Sequence, residues 1–148
     1  MFSRITRILL LPVLLLCASL GSAENSTRAE PFTIHHNAIP TALLTPEVAG
    51  NYNIVRSKYR GLLNVSVIRE VAGTTGQAVT ARVSASALNL IGKRHQIDLR
   101  EVREGEAIYY IGDFPIVDGE TLNFTLEVTP EGATRPTRAT FSQDFYID

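Results

Sequence analysis

From residue 61 to the C-terminus, apolar and polar side chains alternate with a period of two. Leu63, Val65 and Val67 alternate with Asn64 and Ser66, and Val79, Ala81, Val83, Ala85 and Ala87 with Thr80, Arg82, Ser84 and Ser86. The cleanest run sets Leu122, Phe124, Leu126 and Val128 against Asn123, Thr125, Glu127 and Thr129. A strand turns successive side chains to opposite faces, so each run predicts a strand with one buried and one wet side. Ala139, Phe141 and Phe145 carry the pattern toward the C-terminus, with Gln143 on the apolar parity as an exception. Turn-forming clusters separate the runs: Ala72-Gly73-Thr74-Thr75-Gly76, Glu104-Gly105-Glu106, Asp118-Gly119 and Pro130-Glu131-Gly132.

This reading predicts about seven strands, at residues 32–39, 61–70, 78–88, 95–103, 107–114, 121–129 and 137–146. Helical signals are confined to Thr45–Gly50, a single turn with Thr45 as N-cap, Pro46 in the first position and Gly50 as the stop. Glu24 to Glu30 reads as a loose polar lead. Short strands with turns at regular intervals predict an all-β fold, an antiparallel β-sandwich of immunoglobulin or fibronectin type III character. The Cys…Trp…Cys spacing of true immunoglobulin domains is absent, so the expectation concerns architecture alone.

The first 23 residues break this pattern. Arg4 and Arg7 precede an apolar run from Ile8 to Ala18, and Gly21-Ser22-Ala23 places small residues before Glu24. That is the layout of a secretory signal peptide with cleavage after Ala23. The run is shorter than the roughly 20 apolar residues a membrane-spanning helix needs, and Pro12 interrupts it. Residues 1–23 are therefore expected to be a signal peptide and residues 24–148 a single exported domain. Cys17, the only cysteine, lies in the leader, so the exported part has no disulfide to rest on. A lipobox reading of Leu14-Leu15-Leu16-Cys17 fits poorly, because the residue before the cysteine is large. The formal net charge of −1 becomes −3 once Arg4 and Arg7 leave with the leader. Such a mild balance argues against nucleic acid and anionic membrane as partners.

Candidate chemistry is sparse. His35 and His36 are adjacent in a predicted strand and leave it on opposite faces, and His95 is distant. No H-x-H or H-E-x-x-H spacing accompanies them, so no metal ligand set and no cofactor are predicted. Serines are plentiful, but no G-x-S-x-G elbow is present, and Glu101, Glu104 and Glu106 fit a solvated hairpin. No catalytic residues are assigned and no enzyme activity is expected. Tyr109-Tyr110 puts one ring inward and one outward. The least bland segment is Arg56-Ser57-Lys58-Tyr59-Arg60. If extended, Arg56, Lys58 and Arg60 project from one face and Tyr59 from the other. Such a stripe suits an acidic or phosphorylated partner, or simply guards an open sheet edge.

Several segments together resemble a known family. They are Glu24-Asn25-Ser26-Thr27-Arg28, Leu44-Thr45-Pro46-Glu47-Val48-Ala49, Ile54-Val55-Arg56-Ser57-Lys58, Leu99-Arg100-Glu101-Val102-Arg103-Glu104-Gly105 and Val128-Thr129-Pro130-Glu131-Gly132. The chain is similar to a family of small exported bacterial proteins consisting of a domain of unknown function. The resemblance implies a periplasmic location and an immunoglobulin-like sandwich, and it supplies no catalytic residues. The functional expectation is a non-catalytic periplasmic interaction module that meets a protein or cell-envelope component through Arg56, Lys58, Tyr59 and Arg60. The alternative is a small-molecule or metal-binding protein using His35 or His36; a cell-envelope enzyme comes last.

Overall fold

The computed structural model describes residues 25–148, in which the alternating runs become strands of two antiparallel sheets. In chain order the strands are β1 (Ser26–Ala29), β2 (Phe32–Pro40), β3 (Arg60–Arg69), β4 (Gln77–Ala78), β5 (Ala81–Asn89), β6 (Arg94–Ile97), β7 (Arg100–Glu104), β8 (Ala107–Pro115), β9 (Glu120–Pro130) and β10 (Thr137–Phe145). A 3-10 turn (Thr41–Leu43) and the short helix α1 (Pro46–Asn51) lie between β2 and β3. The first sheet runs β1-β2-β3-β8-β7, with β4 also on β3, and the second runs β10-β9-β5-β6. The signal peptide expected at residues 1–23 lies outside the described residues. No helix among the described residues is long and apolar enough to cross a membrane.

The inward parities are the ones the pattern marks. Leu63, Val65 and Val67 on β3, Ala85 and Ala87 on β5, and Leu122, Phe124, Leu126 and Val128 on β9 are buried between the sheets. Phe124 is the centre of an aromatic group. It lies edge-on to Phe114 with centroids 5.2 Å apart and stacks on Phe141 at 4.6 Å. Phe145 meets both Phe114 and Phe124 edge-on. Edge and offset-stacked contacts match the electron-poor rim of one ring to the face of another.

Three strands depart from expectation, each for a local reason. The run expected at 95–103 is two strands, because Asp98 and Leu99 carry the chain from the second sheet to the first. Gly112 on β8 makes the passage possible: a Cβ there would strike the Asp98 carbonyl, and Ile97 and Leu99 at 2.9 Å each. The run expected at 78–88 also changes sheets. Val79 N–H still donates to the Val67 carbonyl, while Thr80 already accepts from Glu131 on the other sheet. Both sheets turn the same parity toward one interior, so the alternation passes through such crossings unbroken.

Residues 26–29, expected as a loose lead, form the edge strand β1 against β2. Its side chains are polar because an edge strand buries little, which leaves no apolar signal to read. The helical turn forms where its caps predict: Thr45 Oγ1 accepts from Val48 N–H at 3.2 Å, and the helix runs one residue past Gly50. Tyr110 bridges the layers: its hydroxyl accepts from Ala81 N–H at 2.8 Å and donates to Glu101 at 3.0 Å.

Candidate functional site

The segment holding Arg56, Lys58, Tyr59 and Arg60 is not extended. Residues 54–59 carry no strand pairing, because Thr41, at the start of the 3-10 turn, clasps Ser57. Its Oγ1 donates to the Ser57 carbonyl at 2.9 Å and accepts from Ser57 N–H at 2.8 Å. The condition for a single three-cation stripe is therefore not met. Arg56 turns back to the Ala42 carbonyl at 3.2 Å, and Arg60, the first residue of β3, pairs with Asp113 at 2.8 Å. The Lys58 ammonium lies 5.4 Å from the Tyr59 ring centroid, and both side chains face solvent. The four residues stay neighbours in the chain while their polar ends go to separate partners.

His35 and His36 do leave β2 on opposite faces. His35 is exposed on the outer face of the first sheet. His36 is buried, stacked on Phe141 with centroids 4.5 Å apart, and its Nε2 lies 3.0 Å from Thr27 Oγ1 on β1. Its Nδ1 is buried without a partner. Burial holds the imidazole below its ordinary value of 6.5, assisted slightly by the neighbouring His35 charge, while its own backbone works the other way. Between the ordinary value and the lowered one, the unfolded chain binds the proton and the folded chain resists it, so stability falls as pH drops through that window. Urea midpoints measured downward from neutral pH are expected to show this decline, and His36→Phe, which keeps a ring on Phe141, is expected to flatten it. No group of three His, Cys, Asp or Glu side chains suited to a metal occurs among the described residues.

A groove that was not anticipated lies on the outer face of the first sheet. Its floor is built from side chains that point away from the core: Asn37 and Ile39 on β2, Leu62 and Asn64 on β3, Tyr109 and Ile111 on β8, and Val102 on β7. The chain from Leu44 to Ile54 covers it, with Val48 of α1 and Tyr52 forming the near wall. Tyr52 is tied to the far strand twice: its hydroxyl donates to Glu104, and its carbonyl accepts from Arg100. The space within the groove is about 220 Å³. A second cavity of about 300 Å³ adjoins it beyond Ile54, sharing Leu62 and Ile111 as walls. Register sets Asn64 between Asn37 on one side and Ile111 on the other. Asn64 Oδ1 is buried there with no hydrogen-bond partner. A buried acceptor without a donor costs about 1–3 kcal/mol, so a donor that parted the side chains over that atom would recover free energy there.

The sequence did hold a signal for this surface. Leu62-Leu63 and Ile108-Tyr109-Tyr110-Ile111 place apolar residues on both parities, which marks strands covered on both faces. Leu62 and Ile111 are indeed buried, although they point away from the central core, and Ala49 of α1 is buried above the same face.

A family model described as "Domain of unknown function (DUF4426)" matches residues 26–148. The chain belongs to the DUF4426 family. Its structure is similar to that of a DUF4426 family protein from Pseudomonas aeruginosa, with a TM-score of 0.71 and 33% identity over 83% of this chain and 94% of that one. FetP from uropathogenic Escherichia coli, recombinantly expressed in the periplasm, matches with a TM-score of 0.60 and 10% identity over 84% of this chain and 94% of that one. A copper-bound FetP variant matches with a TM-score of 0.60 and 11% identity over 83% and 95% of the two chains. At that identity the likeness concerns the sandwich alone. No match was found among curated proteins.

Proposed function

We propose that this DUF4426 protein is a non-catalytic binding module of the bacterial periplasm that receives a side-chain-sized apolar group in the groove under α1. The group carries one hydrogen-bond donor, which meets Asn64 Oδ1. The observation that supports this most directly is the buried, unpartnered Asn64 oxygen in a groove walled by Ile39, Leu62, Val102 and Ile111. Binding sites for small groups combine apolar walls with a few fixed polar atoms, as here. Arg56, Lys58, Tyr59 and Arg60 follow the covering segment past Ile54 and supply the charged margin that a protein or envelope partner would meet beyond the groove. The periplasmic location is supported by the leader-like residues 1–23. Copper, held by the FetP variant, is not part of this reading, because the described residues gather no donor set for it.

Indole tests the reading, since it is apolar, carries one N–H, and fluoresces free of background in a chain with no tryptophan. It is expected to shift the amide resonances of Asn37, Asn64 and Tyr109, and to bind more tightly than benzothiophene, its analogue without the donor. Asn64→Leu is expected to abolish that preference, a change of about tenfold, or ~1.4 kcal/mol. If indole at its solubility limit moves no resonance lining the groove, the proposed site is wrong.

A further inference from the structure

Apart from the two-residue β4, the two sheets have four edge strands, and three of them are guarded. β1 and β6 are four residues long, and β7 is five residues with Arg100, Glu101, Arg103 and Glu104 exposed along it. Short length and charge are the usual means of preventing sheets from joining edge to edge. The fourth edge, β10, is longer, and its only charges, Arg138 and Asp144, are of opposite sign. It runs for nine residues and contains no proline, glycine or lysine. Its pairing with β9 continues from Thr137 opposite Val128 to Phe145 opposite Glu120 without a bulge. Among the described residues, no strand pairs with its other side.

We propose that this edge pairs antiparallel with β10 of a second copy about a two-fold axis at Phe141, giving a closed dimer. The outward side chains of the strand are Arg138, Thr140, Ser142 and Asp144, all exposed. An antiparallel pairing that keeps inward and outward faces matched has few registers to choose from. The one centred on Phe141 sets Arg138 opposite Asp144 of the second copy, Thr140 opposite Ser142, and each of these pairs occurs twice by symmetry. A shift by one pairing step in either direction removes both charge matches. Arg138 makes no ion pair within its own chain among the described residues. Asp144 uses one carboxylate oxygen on Thr121, at 2.6 Å, and keeps the other free. The partly exposed Phe141 ring, stacked between His36 and Phe124, would lie beside its symmetry mate and lose its remaining contact with water. A self-complementary strand of this kind closes after two copies, because a two-fold contact uses the same patch on both. This inference does not rest on the groove.

Sedimentation of the protein expressed as the full chain tests it. The wild type is expected at twice the mass of one chain, dissociating on dilution. Arg138→Asp and Asp144→Arg each place like charges opposite one another and are expected to sediment at the mass of one chain. The double variant Arg138→Asp/Asp144→Arg restores opposite charges and is expected to recover the twofold mass. Wild type at single-chain mass throughout a concentration series overturns the proposal, as does twofold mass in both single variants, or a folded double variant that remains single. Hydrogen exchange on the wild type provides a reading that needs no variant to fold. Amides within residues 137–145 are expected to slow as concentration rises, and rates independent of concentration would also overturn the proposal.

Discussion

Phe124→Ala is expected to lower the unfolding free energy by about 3–5 kcal/mol, the usual cost of removing a buried ring and leaving its space empty. The residue is 1% exposed on β9, a strand flanked on both sides in the second sheet. Its ring touches Phe114 and Phe145 edge-on and Phe141 face to face, so three aromatic contacts are lost with one substitution. Phe114 and Phe145 also touch each other, which limits how far they can close the gap. The only cysteine in the sequence is Cys17, so no covalent link limits the damage. Domains of this size have about 5–15 kcal/mol in total, so the loss takes a large part of it. A urea midpoint that falls with an unchanged slope would show the loss to be one of native stability. A loss below about 1 kcal/mol would mean that the aromatic group collapses into the space and is not the centre of the core.

The second large effect is expected at Gly112→Ala, where a methyl group is added instead of removed. The new Cβ would fall on the Asp98 carbonyl and within 2.9 Å of both Ile97 and Leu99. Overfilled sites typically cost about 1–3 kcal/mol, and more when the neighbour is backbone that cannot swing aside. About 3 kcal/mol is expected here, read as a drop in melting temperature with altered amide resonances at residues 97–100. A variant that melts with the wild type would show that the chain crosses between sheets for a reason other than the space at Gly112. The two substitutions probe different requirements: Phe124 supplies volume, and Gly112 supplies its absence.

The strands read most readily from sequence were those with one wet face. β9 declares itself because Leu122, Phe124, Leu126 and Val128 face a core while Asn123 and its companions do not. The same logic hid the two sheet changes, at Val79–Thr80 and at Asp98–Leu99, since a strand that switches layers still turns the same side inward. β1 was illegible for the opposite reason: Ser26, Thr27 and Arg28 bury too little to leave an apolar trace. The groove needed knowledge of what lies above the sheet. Leu62 and Ile111 announced a doubly covered strand, but only the fold reveals that α1 and Tyr52 provide the cover. The Arg56–Arg60 segment shows the limit of spacing arguments. Two-residue spacing means a common face only in extended chain, and Thr41, 16 residues upstream of Ser57, bends this stretch out of that form.

The passage of the chain through Asp98 and Leu99 also gives the molecule a hinge side and an open side. One continuous stretch, from Arg94 to Glu104, is the margin of both layers, so along that flank they are joined as a book is at its spine. The opposite flank, where β1 and β10 run, has no such binding. There the layers meet through side chains such as His36 of β2 stacked on Phe141 of β10, so a strand added to β10 would lie beside that contact.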